Sequence, residues 1–282
     1  LQSFIDRFAD VVFEIHTGTP EIASALRTVF PRLGCGGVAA PGCPDAVRLA
    51  VRSENAAGEM RYSLTIDGSV EAEDLTRDEA VALIEHQIIR NTVLQTSEYL
   101  AIHAAAVAGP RGALLLAGEG SSGKSSLCAE LVARGFGFLS DELALVHLKR
   151  KAVRPFARAI LLKPGGTGET AGWGRAAPTG RGAAPSVGDG RRYVDWESLR
   201  SGSTARECGV WKIALCRFEQ GGATAISEVS PEDAFHALLG LTLNVHALGT
   251  SAACDALWDL TSSVPSHRVV FGSAGEGASV CV

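Results

Sequence analysis

Alternating apolar and polar positions open the chain. VVFEI (11–15), AVRLAVR (46–52) and RYSLTI (61–66) alternate or run apolar, and Gly and Pro punctuate them in TGTP, GCGG and APGCP. Residues 1 to about 75 therefore predict a small β-rich lobe of short strands and turns. Thr76 followed by Glu79 is a capping-box start, and Val81, Ile84, Ile88 and Leu94 recur at near-helical spacing. A helix over 77–95 follows, linking this lobe (1–97) to the rest of the chain (98–282). AIHAAAV and ALLLAG then read as two apolar strands, and AGPRG between them suits a tight antiparallel reversal. A turn centred between Pro110 and Arg111 sets His103 opposite Gly118.

SSLCAELVAR reads as a helix with Leu127, Leu131 and Val132 on one face and Gly135 just beyond its end. FGFLS and LALVHL are predicted strands. Residues 164–192 hold nine glycines and three prolines with almost no aliphatic side chains, which predicts a mobile loop with little core. VWKIALCRF reads as a strand, and Ser230 with Pro231 opens a helix to about Leu241. A helix around ACDALWDLT and a strand at HRVVF complete the pattern.

Of the 282 residues 46% are hydrophobic and 20% charged, the composition of a well-cored globular protein. A net charge of −5 gives no overall field to hold phosphates of nucleic acid or an anionic membrane, so neither is expected as a partner. The seven cysteines (35, 43, 128, 208, 216, 254 and 281) are scattered, odd in number and without a C-x-x-C pair. They suggest neither a disulfide framework nor a zinc site, and fit a reducing, cytoplasmic setting. LQSFIDRFAD carries charges where a signal peptide needs an apolar core, and no stretch reaches about 18 uninterrupted apolar residues.

The interruption between ALLLA and the next helix carries the chemistry. Gly118, Glu119, Gly120, Ser121, Ser122, Gly123, Lys124 and Ser125 match G-x-x-x-x-G-K-[ST], with Ser126 following, between the strand and the helix that this pattern requires. Glycines let successive N–H groups turn in around a phosphate, and the helix N-terminus adds its positive end. Lys124 is expected on the β- and γ-phosphates and Ser125 on Mg²⁺. Past the helix, FGFLS runs into Asp141 and Glu142. A strand ending in two acids beside the P-loop strand aims both at the nucleotide, one for the metal and one to take a proton from an attacking hydroxyl. The residues leave open which acid does which. His103, at the P-loop end of its strand, is a candidate to orient a carboxylate or the phosphate. His16, His86, His147, His236, His246 and His267 have no such neighbourhood and read as structural or surface residues.

The stretch IHAAAVAGPRGALLLAGEGSSGKSSLCAELVARGFGFLSDELALV resembles the core of the HPr kinase/phosphorylase superfamily. The likeness is close over residues 101–146 and extends weakly to FARAILLKP and the C-terminal segment. It implies an α/β fold, a P-loop kinase core like that of HPr kinase and phosphoenolpyruvate carboxykinase, with ATP as nucleotide, Mg²⁺, and a serine hydroxyl as acceptor. By position it gives Lys124 and Ser125 phosphate and metal, Asp141 the first acid of the pair, and His103 the strand histidine. HPr kinases typically carry Asp-Asp where this chain has Asp141-Glu142, and their glycine-rich C-terminal signature is absent. The closer likeness is to HPr-kinase-related proteins of secretion and peptide natural-product gene clusters, some of which phosphorylate a serine of a precursor peptide. Homo-oligomers are common in the family, though no coiled-coil signal appears here.

Three cations, Arg154, Arg158 and Lys163, flank a downstream apolar strand, and Lys163 is the one expected to stabilise charge on the transferring phosphoryl group. Arg175, Arg181, Arg191 and Arg192 make the glycine-rich loop a candidate lid, with Trp173 and Tyr193 as anchors. The sequence thus predicts a P-loop phosphotransferase acting on a serine of a peptide or small protein. A small-molecule alcohol as acceptor, or a nucleotide-binding regulatory module without turnover, are the alternatives. Catalytic roles fall to Asp141, His103, Lys124 and Lys163, and metal binding to Ser125, Glu142 and Asp141.

Overall fold

The computed structural model describes residues 2–34, 43–56, 58–163 and 192–282. It is a mixed α/β structure in two units, one of residues 2–96 with Arg192 and Tyr193, the other of residues 97–163 and 194–282. The first runs β1 (Gln2–Phe8), β2 (Val11–Thr17), α1 (Pro20–Val29), β3 (Val47–Ala56), β4 (Glu59–Ile66), β5 (Ser69–Leu75) and α2 (Arg77–Gln95). Its strands form one sheet in sequence order, antiparallel except for β2 and β3, which are parallel and joined through α1.

Helix α1 corrects the reading of this lobe as strands and turns alone. TGTP is a helix start: the Thr19 side chain accepts from the Ile22 amide and Pro20 takes the first helical position. Ile22, Leu26 and Val29 then bury one face. In α2 the capping box forms as expected, Glu79 N–H donating to Thr76 Oγ1 at 3.3 Å and Thr76 N–H to Glu79 Oε2 at 2.8 Å. Val81, Ile84 and Ile88 are buried; Leu94 is exposed, so the apolar stripe ends before it.

After Thr96 come β6 (Tyr99–Ile102), β7 (Ala104–Gly109), β8 (Gly112–Ala117), α3 (Lys124–Ala133), β9 (Gly137–Ser140), β10 (Ala144–His147), β11 (Ala152–Arg154), β12 (Ile160–Leu162) and β13 (Arg192–Val194). Then follow α4 (Trp196–Leu199), β14 (Cys208–Phe218), β15 (Ala225–Val229), α5 (Pro231–Leu241), α6 (Val245–Leu248), α7 (Thr250–Ser263), β16 (Ser266–Phe271) and α8 (Ala274–Cys281). The main sheet has the order β6-β10-β11-β14-β8-β7-β9, with β16 also on β14 and β15 on β16. Strand β14 is long enough to pair β11 through its first residues and β16 through its last.

Helices cover this sheet on both faces, and β8 shows why. Its Leu114 and Leu116 pack with Leu127, Leu131 and Val132 of α3 and Ala278 and Cys281 of α8. The alternate positions, Ala113, Leu115 and Ala117, pack with Leu238 of α5 and Ala253, Leu257 and Leu260 of α7. A strand buried on both sides must be apolar at every position, which is what ALLLA supplies. Truncating one of these leucines to alanine costs about 2–5 kcal/mol.

Two sequence expectations are corrected here. AIHAAAV is not one strand: it bends at His103, so that β6 pairs with β10 while β7 pairs with β8 and β9. Strand β9, with the acids at its end, lies beside β7 rather than beside β8, the strand that leads into the glycine-rich loop. Since β7 is antiparallel to both, β8 and β9 run the same way and end on the same edge. No helix among the described residues is long and apolar enough to cross a membrane. Apart from Arg192, the loop expected to be mobile lies outside the described residues, and with it Arg175, Arg181, Arg191 and Trp173.

Candidate functional site

The β7–β8 hairpin turns between Gly109 and Gly112, and Ala104 pairs with Ala117. The chain leaves this last pair into the glycine-rich loop of residues 118–125. A Cβ on Gly118 would stand 2.7 Å from the Cys216 carbonyl oxygen and 2.7 Å from Ser122 Oγ, so only glycine fits there. Gly123 caps α3 at φ +86°, and a Cβ there would meet the Phe271 ring at 2.7 Å. Ser121 also has positive φ, at +65°, a conformation few side-chain-bearing residues adopt. Ser122 Oγ is buried without a hydrogen-bond partner among the described residues. Lys124 Nζ folds back on the loop and donates to the carbonyls of Gly118 (2.6 Å) and Glu119 (2.9 Å). Burial lowers the Lys124 pKa, against the pull of the Glu142 and Asp141 carboxylates.

Strand β9 ends at Ser140, whose hydroxyl donates to the Leu143 carbonyl (2.8 Å) and accepts from the Leu143 amide (3.0 Å). That closes a tight turn around Asp141 and Glu142. Asp141 is only 2% exposed. Its Oδ2 accepts from the Leu161 amide at 2.9 Å and lies 3.5 Å from Arg158 Nη1, while Oδ1 has no hydrogen-bond partner among the described residues. Burial raises the Asp141 pKa, opposed by Arg158, the Leu161 N–H and the Ser125 hydroxyl. Glu142 is more open. Its Oε1 lies 3.3 Å from His103 Nδ1 and its Oε2 3.8 Å from Arg158 Nη1. Burial alone would lift Glu142, but the hydrogen bond with His103 and the charges of Arg158, His103 and Lys124 leave it below the ordinary carboxylate value.

Lys163, just past β12, donates from Nζ to Ser121 Oγ at 2.8 Å. The structure therefore brings together His103, the loop of Gly118–Ser125, Asp141, Glu142 and Lys163. Ser126 follows on α3, partly buried. Arg154 is elsewhere, its Nη1 3.3 Å from the Tyr99 hydroxyl. Tyr193, read as a loop anchor, bonds through its hydroxyl to Glu85 on α2.

Two residues of the site escape sequence reasoning. Arg158, one of the three cations flanking the downstream strand but not the one expected to act, is 3% exposed and reaches both acids. Asn244 is buried and substitutes for a strand: Ala101 N–H donates to its Oδ1 and its Nδ2 donates to the Tyr99 carbonyl, each at 2.9 Å. Beside it the His103 amide donates to the Leu241 carbonyl at 2.8 Å. The chain after α5 is thereby fastened to β6 where His103 begins. Nothing in the local pattern around Arg158 or Asn244 announces these contacts, which join residues distant in sequence.

The oxygen donors here are few. Among the described residues no three His, Cys, Asp or Glu side chains are grouped to hold a metal ion. Two carboxylates and a serine beside a phosphate-type loop suit an ion that takes its remaining oxygens from a phosphate and water.

No protein-family model matches the chain, and no curated protein does. Among solved structures, the chain is similar to the Hpr(Ser) kinase/phosphatase from Coxiella burnetii, at 12% identity, over 64% of this chain and 91% of that one, with a TM-score of 0.31. That is a likeness too loose to carry either fold or function.

Proposed function

We propose that the protein is a phosphotransferase that moves the γ-phosphoryl group of ATP to a hydroxyl, a serine of a peptide or small protein, with Mg²⁺ bound. The observation that carries this reading is the meeting of a glycine-built loop with two acids, Asp141 buried and Glu142 partly open: Lys163 touches the loop at Ser121, and Asp141 lies beside Ser125. The resemblance of residues 101–146 to HPr kinases supports the same reading.

The residues fit a magnesium nucleotide. Ser122 Oγ and Asp141 Oδ1 are buried polar atoms without partners among the described residues, as expected where phosphate, water or metal completes the hydrogen bonding. Ser125 and Glu142 are the oxygens that would hold Mg²⁺, Glu142 because it stays anionic at neutral pH. The ion supplies charge neutralisation to the phosphates when bound.

The chain's own groups do the rest. Loop amides ahead of α3 bind phosphate oxygens with the help of the helix N-terminus. Lys124 exchanges the Gly118 and Glu119 carbonyls for phosphate. Lys163 counters charge that builds on the transferring group. Asp141 takes the hydroxyl proton: its Oδ2 is fixed by Leu161 and Arg158, its buried Oδ1 has no hydrogen-bond partner among the described residues, and burial raises its pKa above the ordinary carboxylate value. His103 holds Glu142 in place.

Incubation with γ-labelled ATP, magnesium and serine-containing peptides tests the reading. Label should reach a serine, and Lys124→Ala and Asp141→Asn should each abolish transfer. Undiminished transfer by both variants refutes the assigned site. Transfer to a small alcohol alone would redirect the acceptor, and binding without any product would leave a nucleotide-binding module.

A further inference from the structure

Arg158 comes from the stretch between β11 and β12. Its neighbours are pinned: the Phe156 amide donates to the Leu139 carbonyl of β9 at 2.9 Å, and the Arg158 amide to the Phe156 carbonyl at 2.8 Å. Phe156 is itself fully buried, which anchors this turn beside the strand that ends in the acids. Three residues on, the Leu161 amide donates to Asp141 Oδ2. The same short stretch thus sleeves Asp141 with a peptide N–H and a guanidinium.

A charged side chain 3% exposed is rare unless it has opposite charge beside it. Arg158 has two acids, and one nitrogen, Nη1, lies 3.5 Å from Asp141 Oδ2 and 3.8 Å from Glu142 Oε2. Adjacent carboxylates repel, and without a cation between them they would turn apart. A guanidinium stays charged at every working pH, so it keeps a cation between the two carboxylates whatever their protonation.

We propose that Arg158 is the positioning residue of the acid pair: buried between Asp141 and Glu142, it holds both carboxylates beside the P-loop so that they act on one hydroxyl and one metal. The proposal rests on the phosphotransferase reading for its kinetic consequence but not for its structural one. It acts through the acids and need not touch substrate. Lys163, five positions on in the same stretch, reaches the loop itself.

The test compares wild type with Arg158→Met and Arg158→Lys. For phosphoryl transfer, Arg158→Met should lower kcat by about 100-fold, the loss that follows when reacting groups are misplaced by about 1 Å, with KM for the nucleotide little changed. The magnesium concentration for half-maximal activity should rise. Arg158→Lys, which keeps the charge, should recover part of kcat. A fold defect alone would lower the active fraction without moving the magnesium dependence, and that result overturns the proposal. So does an Arg158→Met enzyme within about threefold of wild type. Crystal structures of wild type and Arg158→Met give a readout independent of activity: the Asp141 and Glu142 carboxylates should separate in the variant, and unmoved carboxylates contradict the proposal even if the protein transfers no phosphate. A wild-type protein that binds no magnesium nucleotide refutes the phosphotransferase reading instead.

Discussion

Lys163 Nζ donates a 2.8 Å hydrogen bond to the Ser121 hydroxyl, tying the end of β12 to the tip of the P-loop. Both partners are exposed, so the bond itself adds little stability, about 0–1 kcal/mol. Its meaning is one of place: it holds an ammonium at the glycine-rich loop, where the proposed function puts a terminal phosphate. Lys163→Ala should therefore leave the unfolding temperature almost unchanged and lower kcat by about 10²–10³-fold, as loss of a charge-stabilising donor does. Steady-state kinetics beside a thermal melt checks both halves. A large drop in stability with kcat intact would reverse the assignment.

Gly123→Ala tests the loop's backbone. The added methyl meets Phe271 at 2.7 Å at a residue with φ +86°. Strain of about 1–3 kcal/mol is expected, together with loss of phosphate affinity as the amides at the start of α3 turn away. Denaturant unfolding and nucleotide titration of the variant measure the two effects separately.

The two acids have opposite pH signatures. Asp141 is raised above its ordinary 3.8, chiefly by burial, so between 3.8 and its native value the folded protein keeps a proton that the unfolded chain has released. From this group, stability rises as pH falls through that window. Glu142 is held below its ordinary 4.5 despite burial, through His103, Arg158 and Lys124. It contributes stability above 4.5 that is lost as pH falls through its native value. Asp141→Asn should remove the first slope and leave the second. Thermal melts against pH for both proteins decide this, and identical pH slopes would show that Asp141 is not perturbed. In activity, the acid limb of kcat should follow the raised Asp141 value.

Asn244→Ala strips two partners at once, from the Ala101 amide and the Tyr99 carbonyl. Each buried group left unsatisfied costs about 1–3 kcal/mol, so the unfolding temperature should fall by several degrees. Because the neighbouring Leu241 carbonyl accepts from the His103 amide, kcat should fall as well. A variant with wild-type stability would mean that water replaces the amide without loss.

Much of this was legible in local pattern. The Thr76–Glu79 capping box, the Pro110–Arg111 reversal, the Ser230–Pro231 helix start and the strand–loop–helix around Lys124 all rest on residues within a few positions of one another. The start of α1 was equally local, with Thr19 as cap and Pro20 at the first helical position, but its Gly and Pro also fit a turn, and the buried face of Ile22, Leu26 and Val29 decides between them. Other features are not local at all. The bend at His103 follows from β6 and β7 pairing with different strands. Arg158 is identical in sequence terms to Arg154, and only the folding of the stretch before β12 buries one against the acids while the other reaches the Tyr99 hydroxyl. Asn244 is a strand substitute that only the neighbouring β6 backbone reveals.

Titration calorimetry of the protein with Mg-ATP, in wild type and Lys124→Ala, bears most directly on the P-loop as a triphosphate cradle. A saturable heat is expected in wild type, with Kd in the range of about 1 μM to 1 mM usual for enzyme substrates, and at least about tenfold weaker binding in the variant. Equal affinity in the two proteins, or no heat with any magnesium nucleotide, would contradict the account.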